Sequence, residues 1–170
     1  CVKEFGLTDP GKILDKTREL VLDTLKKSGK ELKDGMDISL VSMEKNNNSD
    51  VTTIKWAGAN NPLWYITDGK LMEIDGDKQP IGYIETPMPF TTHQIELKKE
   101  DTIYLFTDGY ADQFGGPKGK KFKYKQLKEK LVALISDSLS EQKNILEHEF
   151  HLWKGDLEQV DDICVIGIRI

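Results

Sequence analysis

Thr102-Ile103-Tyr104-Leu105-Phe106-Thr107-Asp108-Gly109 is the stretch from which the chain is best read. Its apolar centre, Ile103 to Phe106, is short, rich in β-branched and aromatic residues and closed by a turn dipeptide, which predicts a fully buried strand. A carboxylate directly after such a strand is carried by a rigid element toward whatever cleft the strand end borders, so Asp108 is a good ligand position. Asp161-Asp162 stands immediately before the last apolar segment, Ile163 to Ile170. The two sites meet if these strands are antiparallel neighbours, one giving its C-terminal end and the other its N-terminal end. Two carboxylates about 5 Å apart repel by roughly 3 kcal/mol at an effective dielectric of about 20, so a cation, a proton or water must lie between them. A hard, oxygen-seeking ion such as Mg²⁺ or Mn²⁺ fits. On these residues alone the plain alternative stays open: Asp-Gly as an ordinary turn and the Asp pair as a solvated strand end.

Outward from that strand, the pattern is a meander flanked by helices. Asp9-Pro10 places a capping side chain before a proline at the first helical position, and Ile13, Leu14, Thr17, Leu20, Val21 and Leu25 follow at helical spacing, with Ser28-Gly29 as the stop. Alternation from Met36 to Met43 predicts a strand with Met36 in the core, Asn46 to Asp50 a turn, and Val51 to Ala57 a second strand. Asn60-Asn61-Pro62 breaks that strand as a structural turn, with Trp56 and Trp64 as core or half-buried residues on either side. Leu63 to Thr67 and Lys70 to Ile74 flank Asp68-Gly69, a hairpin signal. Extended segments are expected at Pro80 to Glu85 and Thr91 to Leu97. After a Gly- and Lys-rich loop, Phe114 to Lys125, two helices are marked by Leu127, Leu131, Leu134 and Ile135, then by Ile145, Leu146, Phe150 and Trp153. The fold class is α+β, with helices packed on a predominantly antiparallel sheet or sandwich.

The 170 residues suit one domain that buries roughly 70% of its unfolded surface. With 24 Lys and Arg against 29 Asp and Glu the formal charge is −5, which gives no global support for a grip on nucleic acid or anionic lipid. Apolar runs such as Leu131 to Ile135 fall far short of the ~20 residues that cross a bilayer, so no membrane contact is expected. Cys1 and Cys164 cannot form a disulfide framework, which fits a reducing, cytoplasmic setting. Cys1 stands where an initiator Met would, and the reading is of an excised piece of a longer protein.

Five segments taken in order resemble the PPM-type metal-dependent serine/threonine phosphatases, in their SpoIIE branch: Asp34-Gly35-Met36-Asp37-Ile38-Ser39-Leu40; Ala57-Gly58-Ala59-Asn60-Asn61-Pro62-Leu63; Gln79-Pro80-Ile81-Gly82; Leu105 to Gly116; and Asp161-Asp162-Ile163. The resemblance implies a sandwich of two antiparallel sheets flanked by helices, with two Mn²⁺ or Mg²⁺ ions activating a water against phosphoserine or phosphothreonine. It implies Asp108 and Asp161 as metal ligands and Asp162 as a residue supporting them. It also implies a phosphorylated regulatory protein, such as an anti-sigma-factor antagonist, as substrate, and a sensor domain upstream. The family's upstream Gly-Asp segment, whose Asp bridges the metals, has no counterpart here. The expectation is therefore an N-terminally truncated domain over residues 1–170, holding one ion or none, poorly active or inactive, and prone to self-association through exposed sheet edges. The alternative function is a non-catalytic binding or regulatory module on the same fold; another metal-dependent phosphate-ester hydrolase is a weaker third.

Other residues take plainer readings. His148 and His151, with Glu147 and Glu149, do not make the His-Glu-x-x-His zinc motif and read as a solvated helix face. His93 has no evident partner, and Asp34 and Asp37 read as capping or surface groups. Lys118, Lys120, Lys121, Lys123 and Lys125 interleave with Phe122 and Tyr124, a pattern that resembles a nucleic-acid patch until the acidic total is counted. They read as a flexible loop near the carboxylate end, with Lys120 and Lys121 as candidates to receive an anionic phosphoprotein.

Overall fold

A computed structural model describes residues 1–27, 35–44 and 50–170. The elements run α1 (Val2–Phe5), α2 (Pro10–Lys27), β1 (Ile38–Glu44), β2 (Val51–Ala59), β3 (Leu63–Thr67), β4 (Lys70–Ile74), β5 (His93–Lys98), β6 (Thr102–Phe106), α3 (Gly109–Asp112), β7 (Phe114–Gly115), β8 (Lys120–Lys121), α4 (Tyr124–Ala133), α5 (Leu139–Lys154) and β9 (Val165–Arg169). The predicted stop at Ser28-Gly29, most of the turn after β1, and Asp34 lie outside the described residues. The chain divides into two compact units, Cys1–Leu63 with Glu73–Lys99, and Trp64–Met72 with Glu100–Ile170. The mix of helices and antiparallel sheets is the predicted one.

In the first unit, β2 is the centre of an antiparallel sheet ordered β1-β2-β5. Its buried residues Ala57 and Ala59 pack with Leu14 of α2, Ile81 and Phe90. The helix starts as its sequence predicts: the Lys12 amide donates to Asp9 Oδ1 at 3.1 Å, with Pro10 at the first helical position. Beside it Arg18, only 9% exposed, donates to Gln79 Oε1, Asp15 Oδ1 and the Met88 carbonyl, while its guanidinium lies 4.8 Å from the Phe90 ring centroid.

Three expectations in this unit change. The segment Pro80 to Glu85 is not a strand; only Ile81 pairs, through a backbone bridge to Met36. Prolines 80, 87 and 89 lack N–H groups, and the Gln79 side chain ties the loop shut instead, donating to the Met88 carbonyl and accepting from the Met88 amide. Met36 is 48% exposed rather than core, because its backbone makes that bridge ahead of β1. His93 has a partner, the Trp56 ring, with centroids 5.6 Å apart.

The second unit is built on a sheet ordered β4-β3-β6-β9. Asp68 and Gly69 both have positive φ, 48° and 72°, the backbone of a type I′ turn, so the β3–β4 hairpin forms as read. Every residue of β6 but Leu105 is buried. Trp64, Phe106, Tyr110, Phe122, Leu127, Leu131, Leu146 and Phe150 make one core under α4 and α5. Each such side chain contributes about 1.5–3 kcal/mol by leaving water. The core also holds polar groups that are satisfied: the Tyr104 hydroxyl donates to Gln142 Oε1 at 2.8 Å, and Gln142 Nε2 donates to the Leu134 carbonyl at 2.9 Å. A capping box between Ser138 and Glu141 starts α5. Among the described residues, no helix is long and apolar enough to cross a membrane.

Candidate functional site

The condition on which Asp108 and Asp161 could meet is fulfilled: β6 and β9 are antiparallel neighbours, with Phe106 opposite Val165. Beyond that last pair the two segments stay fastened. The Thr107 amide donates to the Cys164 carbonyl at 3.0 Å, the Thr107 hydroxyl donates to the Asp162 carbonyl at 2.8 Å, and the Cys164 amide donates back to the Thr107 hydroxyl at 2.9 Å. Thr107 therefore acts as a latch: its one hydroxyl both accepts and donates across the strand ends, fixing the Asp pair beside the start of α3. Cys164 itself is exposed and precedes β9 rather than lying within it.

Gly109 allows the approach. A Cβ on it would sit 2.5 Å from the Asp162 carbonyl oxygen, closer than atoms tolerate, so the Asp-Gly pair is required by packing as well as by the turn. Asp108 caps α3, and the Asp112 amide donates to its carbonyl at 2.9 Å. Asp108, Asp161 and Asp162 are all exposed, and Asp161 Oδ1 accepts from the Asp162 amide at 2.7 Å.

A further positioning residue escaped the sequence reading. Gln113 is fully buried, and its Nε2 donates to the carbonyls of Phe114 and Glu158 at 3.0 and 2.9 Å, while its Oε1 accepts from the Val160 amide at 3.3 Å. It holds the 158–160 segment that leads to Asp161, and Gln159 Nε2 donates to the Asp161 carbonyl at 2.8 Å. Nothing in a lone Gln after Asp112 signals this; the partners are distant in sequence. Nearby, burial and then the charge of Glu149 hold the Tyr110 phenol above its ordinary range, so it stays protonated and donates to the Leu146 carbonyl at 2.9 Å.

The predicted Lys loop is ordered as a small antiparallel hairpin, with Phe114 opposite Lys121 and Gly115 opposite Lys120. Both lysines are exposed; Lys121 is an ion-pair partner of Asp112 at 2.8 Å and lies over the Phe114 ring. His148 and His151 are exposed on α5, as read.

Carboxylate oxygens at this corner are of the type a hard divalent cation takes, and an ion held by one or two of them would keep several waters. Among the described residues, no group of three or more His, Cys, Asp or Glu gathers into a metal cage, so these residues do not by themselves fit a two-ion centre.

The helices, the antiparallel sheets and the carboxylates after β6 and before β9 define the class: the PP2C type of phosphatase domain. The SiaA PP2C domain of Pseudomonas aeruginosa superposes with a TM-score of 0.82 at 26% identity, over 99% of this chain and 64% of that one. The phosphatase domain of the Bacillus subtilis cell-fate determinant SpoIIE, presoaked with Mn, superposes at 0.58 with 19% identity, over 94% and 70%. The RsbU and RsbW domains of Rv1364c from Mycobacterium tuberculosis superpose at 0.55 with 14% identity, over 92% and 45%. Residues 6–170 match the family of Stage II sporulation protein E (SpoIIE), and the chain belongs to that family, the SpoIIE branch of the PPM-type phosphatases. No curated protein matches the chain. The chain thus spans a little under two thirds of the SiaA domain.

Proposed function

We propose that this chain is part of a serine/threonine phosphoprotein phosphatase that acts on a phosphorylated bacterial regulatory protein. What supports the reading is the adjacency of the Asp108-Gly109 and Asp161-Asp162 backbones, held by the Thr107 latch and allowed by the bare Gly109. Asp108 and Asp161 would hold Mn²⁺ or Mg²⁺, with Asp162 and Gln113 positioning Asp161. A bound divalent ion would supply an acidified water and charge neutralisation for phosphoryl oxygens. The protein's own part is to keep carboxylates of like charge close together on rigid strand ends, so that the ordering is complete before the ion and substrate arrive. No side-chain nucleophile is required.

The test is Mn²⁺-dependent release of phosphate from a phosphoserine peptide, measured with this chain and with one extended upstream by about 60 residues, a few elements of typical length. Activity in the longer chain that falls at least about 100-fold on Asp108→Asn supports the reading, since even residues behind metal ligands cost 10–100-fold. Inactivity of both chains would transfer the assignment to the non-catalytic binding module.

A further inference from the structure

The sheet of the second unit ends on β9, and that edge is open. The Thr107 amide donates to the Cys164 carbonyl and the Ile170 amide to the Asp101 carbonyl, so by the alternation of an antiparallel ladder the even-numbered residues of β9 bond to β6. The backbone N–H and C=O groups of Val165, Gly167 and Arg169 therefore point away from the sheet, where no strand pairs with them among the described residues. Such an edge is ordinarily blunted by a proline or an outward charge. This one has no proline, and the Arg169 guanidinium is folded back, its Nη2 donating to the Ile135 and Asp137 carbonyls at 3.0 Å each.

A trough of about 620 Å³ lies beside this edge, between α5 and β9, with Tyr104, Leu146, Phe150, Ile163, Val165 and Gly167 in its lining. Its floor is apolar to a ligand because the phenol groups there are already used: the Tyr104 hydroxyl donates to Gln142, and the Tyr110 hydroxyl donates to the Leu146 carbonyl. Gly167 keeps the trough open, since a Cβ there would fall 3.2 Å from Leu139 Cδ2 and 3.3 Å from Tyr104 Cε1. The same contacts put Gly167 on the α5 face of the sheet, and Val165 and Arg169, two residues away on either side, share that face. Lys143 and Glu147 also line the trough; both are exposed and they are of opposite sign, so it has no preference for a charge. It reaches Gln159 and Ile163, which bracket Asp161-Asp162 in the chain.

We infer that a segment of the protein substrate adds to the free edge of β9 as an extended strand, its alternate apolar side chains entering the trough under α5, an assignment that rests on the phosphatase reading above. Backbone bonds along the edge give affinity, and the trough selects the side chain on every second residue. The substrate is the occupant because the trough runs to the carboxylate corner. A strand antiparallel to β9 brings its C-terminal end beside Asp161-Asp162, so the phosphoserine follows the apolar alternation. A second copy of β9 does not suit the trough: on the α5 face it brings one valine, one glycine and the tethered Arg169, which leave the trough unfilled.

The experiment is fluorescence anisotropy with a labelled peptide, Val-Thr-Val-Thr-Val-pSer, and with a counterpart in which Gln replaces every Val, each titrated with the whole chain. The Val peptide is expected to bind about ten-fold more tightly. Residues opposite one another on antiparallel strands share a face, so the Val amides point to β9 and the Thr amides to solvent. An N-methyl group on the central Val should therefore weaken binding about ten-fold, and one on the second Thr should leave it unchanged. Gly167→Pro removes an edge-facing N–H without touching the β6–β9 ladder and should weaken the peptide by a similar factor, with circular dichroism checking the fold. If that variant unfolds, the two N-methyl peptides on the unaltered chain decide. Equal affinity for the Val and Gln peptides, or equal loss from both N-methyl groups, overturns the inference. The two readings fail separately. An upstream-extended chain that hydrolyses the peptide with no preference for Val keeps the phosphatase and removes the substrate from the β9 edge. Binding that only the Val N-methyl group weakens, without Mn²⁺-dependent hydrolysis in the extended chain, removes the phosphatase and keeps the strand-addition site.

Discussion

Carboxylates in the first unit and in the second are put to different uses. Asp15 accepts from Arg18 and the Phe90 amide, Asp77 accepts from the amide and hydroxyl of Thr91, and Asp9 accepts from Thr92 and the Lys12 amide. Each closes a loop onto a helix or strand, so its charge is consumed by the fold. In the second unit Asp108, Asp161 and Asp162 are exposed at strand ends, and Thr107 and Gln159 fasten the backbone of the Asp161-Asp162 pair. The first-unit carboxylates are half-buried and tie segments distant in sequence together, whereas around Asp161-Asp162 the hydrogen bonds from Thr107, distant in sequence, run to and from the main chain.

Arg18→Leu is the strongest test of the first half of this contrast. It strands Gln79, Asp15 and the Met88 carbonyl in one step and should cost about 3 kcal/mol in urea unfolding, without altering Mn²⁺ binding measured by water-proton relaxation. Gly109→Ala attacks the second half. Its Cβ must push the Asp162 backbone away, at a cost of about 2 kcal/mol by thermal or urea unfolding, with Mn²⁺ affinity lost at the same time. A stable Gly109→Ala protein with unchanged Mn²⁺ affinity would break the comparison.

Thr107→Val keeps the shape and removes the latch. Mn²⁺ binding should weaken about ten-fold, in the range seen when groups that orient metal ligands are removed. The smallest effect concerns pH. Hydrogen bonding from Thr92 is the main cause that holds Asp9 below its ordinary value of 3.8, opposed by some desolvation and aided by Lys12 and Lys55. A folded-state pKa below the unfolded one means stability that is present above the unfolded value and lost as pH falls through the folded one. The urea midpoint should therefore decline below about pH 4, and Asp9→Asn should flatten part of that decline.

Much of the fold was legible because its signals are local. Asp9-Pro10 starts α2, Asp68-Gly69 makes the hairpin, and the Ile103 to Phe106 run is the buried strand it predicts. The misreadings came where a distant partner overrode local pattern. Pro80 to Glu85 alternates like a strand, but Gln79 and Met88 close it as a loop. Lys120 and Lys121 are equivalent in sequence, and only Asp112 makes one an anchor and leaves the other open.

The sequence by itself determined the family and most of the element types, since turn chemistry, periodicity and ordered motifs are properties of neighbouring residues. Only the tertiary structure decided that the backbones of Asp108-Gly109 and Asp161-Asp162 adjoin, that Thr107 and Gln113 fasten the segment around the Asp pair, and that Asp112 takes Lys121 as its ion-pair partner. Each of those facts depends on strands and helices far apart in the chain being brought within hydrogen-bonding distance, and strand order is fixed by which apolar faces bury together.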